Sequence, residues 1–375
     1  MKVCHFTTVH PIEDVRIFTK QCVGLAENGF DVTLIACGEC AFEDVKKGVK
    51  RICLNAPVKN RFSRFKDASK AVFEKALEVD ADIYHFHDPE LMFTGARLKK
   101  KGKIVVFDIH ENVAEQIMCK PYIPGYLTRK ILSKIYRVFE TRIGAQLDAF
   151  VTVTEGVAKH LTHPNIHIVK NLPKIKLFDN YSAPAPNPQF EEFTLIYPGS
   201  LSQSRGIYDL LQALNLIEQN VRLKLFGKWD SEAFKRKCEA HPAWNKVYFG
   251  GMIPQNEIIP HIKHADLGVH MVHDIGNFTG GLSVKVFEFM ASGIPCLTSD
   301  TRSKREMFQD RVYYCEPDKP EKIARAVESI IANYPEAEKK ADSALQFAKQ
   351  NSWEKEEQKL ISLYKQINRT NHVSK

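Results

Sequence analysis

The stretch 276–300, GNFTGGLSVKVFEFMASGIPCLTSD, decides how the rest of the chain is read. It divides into a glycine-bearing lead-in (Thr279, Gly280, Gly281, Leu282), a helix over 284–291 and a buried strand that opens at Cys296. Glycines let the backbone come close to a ligand, and Ser283 stands where a helix cap belongs. Val284, Val286, Phe287, Met290 and Ala291 recur at helical spacing, while Lys285 and Glu288, three apart, fall on neighbouring faces near the helix start. Gly293 ends the helix and Pro295 keeps it from continuing. A helix start behind glycines is a ready anion site, because its first N–H groups have no helical partner and point forward.

Within that stretch, GLSVKVFEFMASGIPCLTSD resembles the nucleotide-sugar signature of retaining glycosyltransferases with the GT-B fold, in particular family 4, and the likeness covers most of the chain. The resemblance implies an α/β protein of two doubly wound, Rossmann-like domains facing a cleft and closing over the donor. Family members carry two glutamates with seven residues between them, the first addressing the donor sugar and the second the ribose. Glu288 matches the second, and Gly280 stands in place of the first. Contacts to the transferred sugar are then expected from backbone, from Thr279, or from His110 across the cleft. In YPGSLSQSRGIYDLL, 197–211, Gly199 follows a strand and Arg205 precedes a helix. The family places two basic residues here to neutralise the diphosphate; Arg205 matches the second, and Ser200 occupies the position of the first. Lys285 and the helix start are expected to supply the missing charge. Gly227, after a further strand, is expected to shape the base or ribose pocket.

Outward from these motifs, strand-like and helical patterns alternate, which predicts βαβ units and parallel sheets. In the first half, strands are expected over 3–7, 31–36, 83–86, 104–107, 151–154 and 166–169. Three polar loops follow strand ends: HPIEDVR (10–16), HDPE (87–90) and DIHEN (108–112). Ligands of open α/β sheets bind at such ends, which makes His10, Asp14, Arg16, Asp88 and Glu111 acceptor-side candidates. A plainer reading has His85 as buried structure, Asp88 as a helix cap and Asp14 paired locally with Arg16. The patterns HPxxDxRIF, HxHDPEL and DxHE resemble the N-terminal domains of bacterial polysaccharide-building family 4 enzymes. In that resemblance His110 corresponds to the histidine lining the reaction pocket near the donor sugar.

The proline-rich SAPAPNPQ, 182–189, suits neither a helix nor a central strand. Residues 174–193 therefore read as a linker between an acceptor-binding domain, 1–173, and a donor-binding domain, 194–350, whose strands are expected near 195–197, 223–226, 247–249, 267–271 and 296–298. The resemblance implies that a helix over about 351–375 crosses back to the first domain.

Of the net charge of +8, most belongs to 1–190, which holds 28 Lys plus Arg against 21 Asp plus Glu. Eleven of those bases lie between Arg97 and Arg142. Such a basic surface can face nucleic acid, anionic lipid or an acidic acceptor; no nucleic-acid motif accompanies it, so an anionic membrane surface ranks above nucleic acid, which is not expected. Segment 121–146 alternates apolar residues with Arg129, Lys130, Lys134 and Arg137, a basic amphipathic pattern suited either to a membrane interface or to buried packing. No apolar run is long enough to span a bilayer, and MKVCHFTTVH opens like a strand rather than a signal peptide. The expected location is the cytoplasm, peripheral to the inner face of the cell membrane. Nine cysteines at irregular spacing favour reduced thiols; Cys37 and Cys40 form a C-x-x-C with no second pair. No Asp-x-Asp and no His/Cys cluster has convincing ligand spacing, so neither metal nor cofactor is expected.

The activity these readings imply is metal-independent transfer of a hexosyl group, with retention, from a nucleoside-diphosphate sugar to a hydroxyl of a glycan or lipid-linked acceptor, in bacterial surface polysaccharide biosynthesis. His110, Arg205 and Lys285 are the expected catalytic groups. A nucleotide-sugar epimerase and a non-catalytic nucleotide-sugar-binding subunit are the alternatives.

Overall fold

The computed structural model describes residues 1–39, 41–56, 64–120, 122–181, 191–273 and 282–373 of the chain. Thr279, Gly280 and Gly281, and the proline-rich 182–189, lie outside these residues. The chain divides into two compact units, Met1–Asn171 with Trp353–Lys375, and Leu172–Ser352.

The first unit is built on β1 (Lys2–Thr7), β2 (Asp31–Gly38), β3 (Phe42–Lys46), β4 (Val49–Asn55), β5 (Ile83–Phe86), β6 (Ile104–Ile109), β7 (Ala149–Thr152) and β8 (Ile166–Ile168). Among the described residues they form one sheet in the order β3-β4-β2-β1-β5-β6-β7-β8. All its pairings are parallel except β3 with β4, a hairpin at one edge turned by Lys47 and Gly48, both at positive φ. The hairpin was not foreseen: its turn carries Lys where Asn or Asp would have signalled it. Parallel strands buried on both faces read as apolar runs, and β1, β5 and β6 follow that rule on one face. Cys4, Phe6, Tyr84, Phe86, Val105 and Phe107 pack there. On the other face Val3, Ile83, Ile104 and Val106 lie beneath the π-type helix α1 (Val15–Cys22) and the last helix (Trp353–Val373). Trp353, Leu360 and Tyr364 of that helix are fully buried in the first unit, and burying each large side chain contributes about 1.5–3 kcal/mol. Two further helices, α2 (Val113–Cys119) and α3 (Tyr126–Gly144), follow β6.

The second unit begins earlier than a linker over 174–193 requires. Helix α4 (Ile175–Asp179) falls inside that stretch, and Ile175 and Phe178 are buried in the second unit's core. The proline-rich run masked this, because the two apolar residues precede it at helical spacing. Strands β9 (Phe193–Pro198), β10 (Val221–Phe226), β11 (Val247–Gly251), β12 (Leu267–His270), β13 (Cys296–Ser299) and β14 (Tyr313–Cys315) form a parallel sheet, described in the order β11-β10-β9-β12-β13-β14. Helix α5 (Ile207–Leu216) follows β9, and α6 (Val284–Ser292) precedes β13.

In both sheets the chain winds outward in one direction and then in the other. The reversal lies between β1 and β5 in the first unit and between β9 and β12 in the second. Loops leaving neighbouring strands at such a switch point diverge to opposite faces, which opens a crevice at the strands' carboxyl ends.

Candidate functional sites

At the first switch point a cavity of about 550 Å³ is lined by His10 after β1, His87 and Asp88 after β5, and Asp108, His110 and Glu111 at the end of β6. Gln116 and Lys120 of the next segment close its side. Asp14 and Arg16, expected at this wall, do not line it. Asp14 caps α1, its Oδ1 accepting from the N–H groups of Arg16 and Ile17 at 2.8 and 2.9 Å. Asp88 does not cap its own helical turn; its Oδ2 accepts from Thr7 Oγ1 at 2.7 Å and Thr8 N at 2.6 Å, fastening the loop after β1. Between these two carboxylates stands the imidazole of His10, 3.4 Å from Asp14 and 3.6 Å from Asp88. Burial works against its charge, but the carboxylates outweigh it and raise its pKa above the ordinary imidazole value. Burial likewise works to raise Asp14, and His10 with the Ile17 N–H brings it down to about 2.

Asp108 belongs inside β6 rather than in the loop after it, and it is fully buried. Arg16 explains how the charge is tolerated: its Nε and Nη2 donate to the two carboxylate oxygens at 3.1 and 2.8 Å. Gln21 Nε2 donates to Oδ2 at 2.7 Å, and His87 Nδ1 and His110 Nε2 each lie 3.3 Å from the same atom. Burial alone would raise the carboxyl, but Arg16, His110 and His87 hold it well below the usual carboxylate range. Gln21 was missed in the sequence because nothing marks a glutamine amid α1 as polar-facing. His85, His87 and Asp108 offer ligand atoms within 4.8 Å of one another. They do not fit a resident divalent ion, because the carboxylate already receives a guanidinium and an amide whose charge and protons oppose one.

At the second switch point, loop backbones approach closely. A Cβ on Gly227 would lie 1.7 Å from the carbonyl oxygen of Gly199, and one on Gly206 would lie 2.1 Å from that of Met271. Both positions therefore admit only glycine, which places the Arg205 turn against the end of β12. Three cations act on His270 at that end. Burial first, then Lys304, Arg205 and Lys285, push its imidazole well below the ordinary range. Lys304 was not foreseen; it follows β13 and donates to Thr298 Oγ1 at 3.0 Å and to Ser299 Oγ. Its signal lay in TRSKRE, where Thr301 caps a basic helical turn. Lys285, near the start of α6, pairs with the buried Glu288 at 2.8 Å. Ser283, expected to cap α6, makes no side-chain capping bond. Leu282, half-buried, borders the core beneath α6.

Helix α3 packs Phe139 and Ile143 against the first unit's core but leaves much of its apolar surface outside it. Ser133 donates to the Ala114 carbonyl at 2.8 Å and Arg129 to that of Met118 at 3.1 Å, so polar groups face α2. Only Glu140 and Gly144 are buried, whereas Tyr126, Leu127, Ile131 and Ile135 are each more than half exposed. Exposed Lys130, Lys134 and Arg137 are interspersed with them. Among the described residues no helix is long and apolar enough to cross a membrane.

The family model described as Glycosyl transferases group 1 matches residues 183–370, half of the chain, and that described as Glycosyltransferase Family 4 matches residues 16–171. No curated protein sequence matches significantly. Among solved structures, sucrose-phosphate synthase from Thermosynechococcus elongatus superposes with a TM-score of 0.77 at 16% identity, covering 98% of this chain and 99% of that one. Anabaena HepE in complex with UDP and glucose gives 0.71 at 13% identity, over 97% and 99% of the two chains. An E. coli structure described as trehalose-6-phosphate bound with UDP-2-fluoro glucose gives 0.69 at 12%, over 98% and 99%. At these identities the likeness speaks for the fold.

Proposed function

Since the chain belongs to the group 1 glycosyltransferases of family 4 and has the GT-B fold, we propose that Leu172–Ser352 takes a nucleoside-diphosphate sugar and the first unit takes the acceptor. The observation that carries the donor half is the convergence of Arg205, Lys285 and Lys304 on the end of β12, at the switch point and beside the start of α6. A diphosphate gains negative charge as its bond to the sugar breaks, and fixed cations with a helix start stabilise that charge without a metal. Structures of similar fold hold UDP and UDP-sugars, which makes UDP-glucose the first donor to test. Glu288 is our choice for the ribose hydroxyls, in exchange for its bond to Lys285. Gly199 and Gly227 let the nucleotide approach the backbone. The 550 Å³ cavity, with His10, His110 and Glu111, takes the acceptor hydroxyl.

The reading includes retention of anomeric configuration, transfer of a hexose, and a glycan or lipid-linked acceptor of bacterial surface polysaccharide assembly at the cytoplasmic face of the membrane. The test is a panel of nucleoside-diphosphate sugars, UDP-glucose among them, incubated with and without lipid-linked and oligosaccharide acceptors and read by mass spectrometry. Acceptor-dependent release of nucleoside diphosphate is the expected result. Conversion of the donor alone would make the protein an epimerase, and binding without consumption a binding subunit.

The exposed face of α3 supports peripheral attachment, since apolar side chains and cations stand on it together. We expect the protein to sediment with phosphatidylglycerol vesicles and not with phosphatidylcholine vesicles at low salt. Lys130→Glu with Lys134→Glu should weaken that partition by more than about tenfold, at about 1 kcal/mol per basic residue near an anionic surface. Equal sedimentation with both vesicle types would remove the membrane from the proposal.

A further inference from the structure

The sheet face that carries Asp108 also carries three imidazoles, and the last helix adds a phenol to them. His5 on β1 stands in register with His85 on β5, and alternation along β5 and β6 puts His87 and Asp108 on that same face. His87 Nε2 is 3.0 Å from His5 Nδ1, His5 Nε2 is 3.2 Å from the Tyr364 hydroxyl, and that hydroxyl is 2.5 Å from His85 Nδ1. All four side chains are buried, and His85 Nε2 has no hydrogen-bond partner. Burial holds the imidazoles well below their ordinary range, His87 at about 3, and it raises the phenol. Each ring nitrogen pair therefore carries one proton, and Tyr364 keeps its own.

The two ends of this array choose its direction. At one end His87 Nδ1 faces the ionised Asp108, so Nδ1 must carry the proton; a lone pair there would meet negative charge. His87 Nε2 is then an acceptor, and it receives the proton of His5 Nδ1. His5 Nε2 in turn accepts from Tyr364, whose oxygen accepts from His85 Nδ1–H. The far end is left with the bare lone pair of His85 Nε2, the nitrogen that lacks a partner. Running the donors the other way would bury an unsatisfied N–H there and press a lone pair on the carboxylate, two faults instead of the single unpaired lone pair.

From this we infer that His85, Tyr364, His5 and His87 form a one-way chain of donors ending on Asp108, and that this chain, by keeping the proton on His87 Nδ1, fixes the tautomer of His110. With His87 Nδ1–H committed to Asp108, His110 Nε2, 3.3 Å from the carboxylate and 3.4 Å from His87 Nδ1, must also be a donor to the carboxylate. Nδ1 of His110 is then the ring's one proton-accepting atom, in a residue that lines the cavity. This part rests on the acceptor reading given above. In the transfer, the acceptor oxygen forms its bond to the anomeric carbon, the bond from that carbon to the diphosphate oxygen breaks, and the nucleoside diphosphate leaves with the electron pair. His110 Nδ1 takes the hydroxyl proton. Arg16 and Gln21 bond Asp108 itself, and Asp14 and Asp88 face His10, so none of these groups interrupts the chain.

The experiment is 15N-imidazole NMR of the full chain at neutral pH, with resonances assigned by single His→Gln variants. We expect His5, His85 and His87 as Nδ1–H tautomers, the rarer form of a free histidine, and His110 as Nε2–H. Tyr364→Phe should turn His85, which loses the acceptor of its Nδ1–H, to a mixed tautomer, and leave His5 and His87 as Nδ1–H, because their direction is set from Asp108. Nε2–H at His5 or His87, in the wild type or in Tyr364→Phe, overturns the inference, as does Nδ1–H at His110. Zinc that binds stoichiometrically and abolishes the His85 and His87 N–H signals overturns it in favour of a metal site. The NMR readout needs no substrate: if His110→Ala keeps full transfer activity, the acceptor reading fails while the donor chain stands.

Discussion

Arg205→Ala is expected to lower kcat/KM for the donor about a thousandfold, the scale of losing a charged donor aimed at a leaving group. The reason is geometric as much as electrostatic. Gly206, at a backbone conformation open to glycine and with the Met271 carbonyl where its Cβ would be, locks the Arg205 turn against β12. A guanidinium so placed can grip two phosphate oxygens at once, which an ammonium cannot. Lys285→Ala should cost less, because that amine already shares its charge with Glu288 and is a third exposed. The check is nucleoside diphosphate release from UDP-glucose by each variant, beside its melting temperature. Arg205 sits on a three-residue turn at the surface of the core, so its melting temperature should stay near wild type. Wild-type donor kinetics in Arg205→Ala would force the donor site elsewhere.

Much of this was legible in the chain. Alternation of apolar runs with helical periods announced two parallel sheets, because strands buried on both faces leave little room for polar residues. Helix α6 was readable from Gly293 and Pro295, whose backbone limits leave few alternatives. What the sequence hid were facts that depend on which face a residue takes. Segment 121–146 shows the right period for either a buried or an exposed apolar stripe, and period alone does not say which side meets protein. In the structure α2 takes the polar side of α3. Arg16 looked like an acceptor-side cation because it follows a polar loop, but its partner Asp108 is 92 residues away and no local pattern joins them. Gly280, in place of a glutamate, lies outside the described residues, and the choice of transferred sugar goes with it.

The largest loss of stability is expected from the same buried pair. Asp108→Asn keeps the shape of the side chain but not its four lone-pair directions. Oδ2 receives donors from Arg16, Gln21, His87 and His110, and Oδ1 receives Arg16 Nη2. An amide NH2 in either orientation confronts one of these donors and leaves the guanidinium buried without a countercharge. Removing one partner of such a pair costs about 3–5 kcal/mol, which urea denaturation should show as a lower midpoint, with hydrogen exchange in β1, β5 and β6 localising it to the first unit. The effect must also depend on pH. Asp108's carboxyl titrates well below its ordinary value when folded, so the stability it contributes is complete above about pH 4–5 and fades as pH falls from there towards the folded value. The difference between wild type and Asp108→Asn should accordingly be constant from pH 5 to 7 and narrow below pH 4. A difference under about 1 kcal/mol at pH 7, or one that widens on acidification, would mean that Arg16 is balanced by something other than this carboxylate.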